Sequence, residues 1–290
     1  MGDTEPSSAQ NTPPVSGTST PIGGRPPSNA KPKPTKREVK ILMLHGYTQS
    51  GPLFRAKTRA LEKLLAKALS PINLVPALIY PTAPNRLYPK DIPGYQPPSS
   101  SETEDAENEI DSWAWFRKDE ATSEYRLFKE GMLSLASSIS EAGGGIEGVI
   151  GFSQGGCIAS VLASALETER EVGNEESKEW VEKLREANGG ERLKFAVIYS
   201  GFWAVPESLS SWLYQPKVKT PTLHYLGGLD TVVDESRSLG LVERCEEPKH
   251  VLTHPGGHYV PVSKEWVMPL AGFVKKSLED AAPSQKEEKL

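Results

Sequence analysis

Short apolar runs alternate along this chain with longer stretches of helical periodicity. The first run, Val39-Lys40-Ile41-Leu42-Met43-Leu44, is almost unbroken, as expected of a parallel strand covered on both faces. Between 52 and 69, Leu61, Leu64, Leu65 and Ala68 recur at helical spacing and predict one stripe that docks on the sheet. Residues 74–80 predict a second strand, ended by the turn Pro81-Thr82-Ala83-Pro84. A second helix is predicted from Ser123, with Tyr125, Phe128, Met132, Leu135 and Ile139 on one face and Gly143-Gly144-Gly145 closing it. Gly148-Val149-Ile150-Gly151 reads as a strand and 154–168 as a helix of small apolar residues. Further strands are expected at 195–200, 222–226 and near 251–253, with a closing helix over 263–278. This alternation predicts an α/β class, a mostly parallel sheet with helices on both faces.

Three kinds of segment interrupt the pattern. Residues 1–35 are rich in Pro, Ser, Thr and Gly with almost no apolar content, and are expected to form a disordered tail ahead of one domain at 36–279. Residues 85–112 lose all periodicity and carry an acidic run from Ser101 to Asp111, and Trp113, Trp115 and Phe116 end the segment at 116. Two readings of residues 85–116 stay open: a partial lid whose aromatic end lines a pocket, or a long loop anchored to the core by those aromatics. Residues 169–192 form a charged insertion in which Trp180, Val181 and Leu184 could dock a short helix. A charged tail is expected over 280–290.

Composition narrows the classes. With 290 residues, 37% of them hydrophobic and 24% charged, the chain suits one large domain plus unburied extensions. Its net charge of −5 argues against a nucleic-acid partner. Cys157 and Cys245 are too few for a disulfide scaffold and are expected to be unpaired. The start has neither a basic nor an apolar signal region, and no apolar run is long enough to span a membrane. The protein is therefore expected to be cytoplasmic, with the nucleus open to it as well; its oligomeric state is open.

Candidate chemistry centres on Gly151-Phe152-Ser153-Gln154-Gly155, a G-x-S-x-G string between an apolar strand and a small-residue helix. Such a tight turn presents the Ser153 hydroxyl at the carboxyl edge of a sheet and at a helix N-terminus. A serine hydroxyl needs a base held in the right tautomer by a carboxylate. In chain order Asp230 follows one strand and its Gly227-Gly228 turn, and His258 follows another and its Pro255-Gly256-Gly257 turn. Asp234 competes with Asp230 for the carboxylate role. The loop Leu44-His45-Gly46-Tyr47 is expected to supply an oxyanion donor, the amides of Tyr47 and Gln154 forming the pair, while His45 orders the loop. Trp203 is a further pocket candidate. His250, His254 and His258 recur every four residues, but Pro255-Gly256-Gly257 forbids the helix that a metal face would need. Neither a metal nor a cofactor is expected.

Together with Gln49, Tyr80-Pro81-Thr82-Ala83-Pro84 and Trp113-Ala114-Trp115-Phe116, these motifs resemble the FSH family of serine hydrolases, common in fungi and with an animal relative named for ovarian cancer. The resemblance runs from about Val39 to Val274. It implies an α/β-hydrolase fold, action on carboxylic esters or thioesters, and a triad at Ser153, Asp230 and His258; some members release acyl chains made by polyketide synthases. The longer N-terminal tail and the 169–192 insertion depart from the family pattern. The Gly-Phe-Ser-Gln-Gly string also resembles acyl-protein thioesterases. Three functions stay open: an esterase acting on a small-molecule ester, a thioesterase or acyltransferase that unloads a carrier, and a silent module that only binds a ligand.

Overall fold

A computed structural model describes residues 35–91 and 111–282. The expected N-terminal tail apart from its last residue, the acidic middle of the 85–116 segment and residues 283–290 lie outside the described residues.

Six parallel strands form the central sheet: β1 (Arg37–Leu44), β2 (Leu74–Ile79), β7 (Gly148–Phe152), β8 (Phe195–Tyr199), β9 (Thr222–Gly227) and β10 (Lys249–His254), in the order β10-β9-β8-β7-β1-β2. Alternate residues of β1 serve opposite layers. Val39, Ile41 and Met43 pack with Phe54, Leu61 and Leu65 of α1 (Gly51–Leu69) and with Val267, Leu270 and Val274 of α7 (Lys264–Asp280). Leu42 and Leu44 face the second layer: α2 (Phe128–Glu141), α3 (Gln154–Ala165), α4 (Glu175–Ala187), α5 (Glu207–Leu213) and α6 (Glu235–Glu243). Both faces being covered explains why the strands read as continuous apolar runs rather than alternating ones.

The order reverses between β1 and β7. From β1 the chain moves to β2 on one side, returns to pair β7 on the other, and then proceeds outward to β10. Loops that leave two such neighbours diverge and open a crevice at the carboxyl ends. Register aligns Leu44 with Gly151, so the β1 loop and the G-x-S-x-G turn flank that crevice.

The second helix starts later than its periodicity suggests. Ser123 and Leu127 adopt positive φ angles of 61° and 60°, so helical backbone begins only at Phe128. Tyr125 instead lies in β6 (Tyr125–Arg126), antiparallel to β5 (Arg117–Lys118). A second two-residue ladder joins β3 (Asn85–Arg86) to β4 (Trp113–Ala114). Gly143, Gly144 and Gly145 end α2 at φ of 75°, 62° and 65°, conformations that glycine adopts without a Cβ clash.

The charged insertion is helical through its middle. Asn174 accepts from the Ser177 amide at 2.8 Å as the cap of α4. Trp180, Val181 and Leu184 are buried, with Trp180 meeting Phe128 edge-on at 5.7 Å and Trp212 at 5.6 Å. The insertion covers α2 and α5 and contributes nothing to the wall around Ser153. Among the described residues no helix is long and apolar enough to cross a membrane.

Candidate active site

Ser153 joins β7 to α3 with φ 55° and ψ −117°, a strained conformation for a residue with a side chain. The glycines around it answer a spatial demand. A Cβ on Gly151 would lie 2.1 Å from the Gly155 carbonyl oxygen, and one on Gly155 would lie 2.2 Å from that of Leu44. The Ser153 amide donates to the Tyr199 carbonyl at 2.9 Å, carrying the β7–β8 ladder into the turn. Gly155→Ala is therefore expected to destabilise by about 1–3 kcal/mol, because backbone rather than a flexible side chain must yield. Gly272→Ala, at an open position in α7, is expected to stabilise by about 0.5–1 kcal/mol. Thermal unfolding of the two variants checks the opposite signs.

Two loops press together to bring up the partners of Ser153. Leu229 N–H donates to the Gly256 carbonyl at 3.0 Å and Gly228 N–H to the His254 carbonyl at 2.7 Å. A Cβ on Gly227 would lie 2.5 Å from the Gly257 oxygen, so only glycine allows this approach. The loops leave His258 Nδ1 at 2.8 Å from Asp230 Oδ2 and His258 Nε2 at 2.9 Å from Ser153 Oγ. An ionised Asp230 can only accept, so Nδ1 carries the proton and the bare Nε2 accepts from the serine hydroxyl. The imidazole also packs on Phe152, ring centroids 4.8 Å apart.

Asp230 is fixed from its other side. Its Oδ1 accepts from the amides of Val232 and Val233, both at 2.9 Å. Burial opposes its charge most strongly, but the Val233 amide, His258 and the Val232 amide together outweigh it and hold the carboxyl below the ordinary range. Asp230 is thus ionised at neutral pH. Asp234 does other work: it caps α6 by accepting from the Ser236 amide at 2.9 Å and does not reach the imidazole.

The β1 loop completes the site. Gln154 opens α3, where its amide has no acceptor within the helix. Tyr47 and Gln154 both line the cleft that contains Ser153. The Gln154 side chain is committed elsewhere, Oε1 accepting from Trp115 N at 2.7 Å and Nε2 donating to the Phe116 carbonyl at 2.8 Å. His45 orders its loop: Nε2 accepts from the Ala83 amide at 3.0 Å and Nδ1 donates to the Gly46 carbonyl at 2.8 Å. Burial lowers its pKa to about 4, and burial likewise lowers His224, in β9, to about 3. Both lie below the unfolded value of 6.5. As pH falls from that value the unfolded chain gains the protons first, so stability falls with it. The loss is about 1.4 kcal/mol per pH unit for each histidine. Urea unfolding is expected to show a lower midpoint at about pH 5 than at about pH 7, with a shallower dependence in His224→Phe.

The cleft beside Ser153 encloses about 520 Å³. Of the four aromatic residues expected to line it, the structure brings only Phe116 there. Trp115 is fully buried, and its Nε1 donates to the His45 carbonyl at 3.0 Å. Trp113 pairs with the β1 loop through Thr48 N–H to its carbonyl and its own N–H to the Gln49 carbonyl, both at 3.1 Å. Its Nε1 donates to Asp111 at 2.8 Å. Trp203 lies away from the cleft under the Arg244 guanidinium, 3.7 Å from its ring centre. The indole N–H groups of Trp113 and Trp115 need acceptors, and they find them in the scaffold around the β1 loop. The apolar wall comes instead from Phe116, Tyr125, Phe202, Val232 and Val233, with Arg117, Lys118 and Arg237 among the polar lining. Sequence gave no signal for Tyr125, Phe202 or Arg237 as cleft residues. Among the described residues no group of three or more His, Cys, Asp or Glu is arranged to hold a metal ion.

Residues 35–270 match the family model described as Serine hydrolase (FSH1). The Saccharomyces cerevisiae protein named Family of serine hydrolases 3 is 31% identical over 243 residues, covering 81% of this chain and 83% of that protein. Esterase OVCA2 of Danio rerio is 27% identical over 245 residues, covering 82% of this chain and 97% of that protein. Among solved structures, Arabidopsis thaliana SOBER1 F65L aligns with a TM-score of 0.50 at 21% identity, over 83% of this chain and 100% of that one, a likeness of fold. The match to the family model spans most of the domain, and with the α/β-hydrolase sheet and its serine turn it shows that this chain belongs to the FSH1 family of serine hydrolases.

Proposed function

We propose that the protein hydrolyses carboxylic esters through an acyl-enzyme on Ser153, with His258 as general base and acid and Asp230 orienting it. The observation that carries this reading is the unbroken relay from Asp230 through His258 to Ser153, with contacts of 2.8 and 2.9 Å. His258 Nε2 takes the hydroxyl proton as Ser153 Oγ attacks the ester carbonyl carbon. The anion that forms is held by the amides of Tyr47 and Gln154, donors commonly worth about 3 kcal/mol each because they act chiefly on the transition state. Collapse breaks the carbonyl–oxygen ester bond, and the leaving alcohol departs with the proton from His258. Water then loses a proton to His258, attacks the acyl carbon and releases the acid, restoring Ser153.

The apolar wall of the cleft suits an acyl chain, since such pockets are built mainly from aromatic and aliphatic side chains. The protein is read as cytoplasmic on its two free, buried thiols, Cys157 and Cys245. A fluorophosphonate probe tests the function most directly: Ser153 is expected to be labelled, with labelling lost in His258→Ala. Folded protein that stays unlabelled would overturn the enzymatic reading in favour of a silent binding module. Rates on an oxoester and a thioester of equal chain length separate an esterase from a thioesterase.

A further inference from the structure

Three cations line the cleft that holds Ser153: Arg117, Lys118 and Arg237. Two of them are matched at the wall itself, Arg117 by Asp91 and Lys118 by Glu120, the latter at 3.1 Å. Arg237 has no carboxylate within ion-pair distance among the described residues. Asp234 stands one turn before it and feels its charge, but that carboxylate is held first by the Ser236 side chain and amide.

Arg237 is nonetheless held in place. Its guanidinium carbon sits 4.4 Å from the centre of the Phe202 ring, and Phe202 follows β8, the neighbour of the strand that leads into Ser153. A cation against an aromatic face keeps its planar N–H edges directed outward for an acceptor. Its helix, α6, begins immediately after Val232 and Val233, whose amides hold Asp230. The cation is thus tied by a short stretch of chain to the loop that orients His258. The intervening wall, Phe116, Tyr125, Val232 and Val233, is mostly apolar.

We infer that Arg237 is an anion subsite of the catalytic cleft, selecting esters that carry a second, negatively charged group, a carboxylate or phosphate, beyond the bond that is cleaved. The inference rests on the esterase reading above and deepens it to a substrate class. The anion can belong to the acyl part, as in a half-ester of a dicarboxylic acid, or to the leaving group, as in a phosphate-bearing alcohol or thiol. The chemistry recognised is the same: a guanidinium donating two parallel N–H bonds to an oxyanion.

Two substrate pairs, each with acyl chains of matched length, separate these sources. For the acyl side, p-nitrophenyl adipate is compared with p-nitrophenyl hexanoate; for the leaving group, hexanoyl-coenzyme A is compared with hexanoyl-N-acetylcysteamine. In at least one pair the ratio of kcat/KM, charged over neutral, is expected to fall by roughly tenfold in Arg237→Gln, chiefly through KM, and to recover only in part in Arg237→Lys, which keeps the charge but not the two parallel N–H bonds. Added salt should lower the wild-type ratio, because the cation is exposed. Ratios equal in wild type and Arg237→Gln for both pairs overturn the subsite. Calorimetry on Ser153→Ala, with monomethyl adipate against methyl hexanoate and with coenzyme A against N-acetylcysteamine, reads the same preference without turnover. Absence of hydrolysis in wild type therefore counts against the esterase reading, and absence of any charge preference in Ser153→Ala that Arg237→Gln removes counts against the subsite.

Discussion

Ser153→Ala is expected to lower kcat on a p-nitrophenyl ester by about 10⁵- to 10⁶-fold, and His258→Ala by nearly as much. Combining the two should cost little more than either alone. The reason is that the serine hydroxyl and the imidazole perform one act, transfer of one proton across the 2.9 Å between Oγ and Nε2 as the new bond forms. With either removed, the other has nothing to do. What survives is the acceleration supplied by binding and by the amides proposed here as oxyanion donors, those of Tyr47 and Gln154, about 10³- to 10⁴-fold over water in enzymes of this design. Stability should change little in Ser153→Ala, because alanine keeps the Cβ and meets the same strain at φ 55°. A Ser153→Ala protein whose kcat stays within about 100-fold of wild type would place the nucleophile elsewhere.

The elbow was legible because its constraints are local. Gly151 and Gly155 sit two residues either side of Ser153, and the backbone contacts that exclude a Cβ there belong to any strand–turn–helix this tight. Strands covered on both faces announced themselves as apolar runs, and Asp230 and His258 could be picked out because each follows a strand and a glycine turn. The stripe of Trp180, Val181 and Leu184 likewise revealed a helix inside a charged segment. Two-residue ladders leave no periodicity to read, so β3 to β6 were invisible, and Tyr125 was absorbed into a helix that begins three residues later. The cleft wall was hidden for a different reason. Phe116, Tyr125, Phe202 and Val232 meet only because separate crossovers end at the same edge, and nothing in their local sequence marks that edge. Aromatic character alone could not choose between the two readings left open for Trp113 and Trp115, whose N–H groups stitch the chain to Asp111 and His45. Those bonds make them supports of the β1 loop rather than walls of the pocket.

Asp230→Asn is expected to lower kcat by about 10⁴-fold with the site otherwise in place, the size of the loss when a triad histidine is left in the wrong tautomer. The structure dictates which way the new amide faces. Val232 and Val233 each direct an N–H at Oδ1, both at 2.9 Å, and only a carbonyl oxygen can accept them. The amide nitrogen is left facing His258 Nδ1 across the contact that is 2.8 Å in the native site. Facing a donor, Nδ1 must become the acceptor, so the ring proton moves to Nε2. There it points at the Ser153 hydroxyl and cannot take its proton. Asp234→Asn should leave kcat within a few-fold of wild type, since asparagine caps a helix about as well as aspartate. Steady-state kinetics on the two variants, with the ring protons of His258 followed by NMR, separates the roles. Near-native turnover in Asp230→Asn, or a larger loss in Asp234→Asn, would take the orienting role away from Asp230.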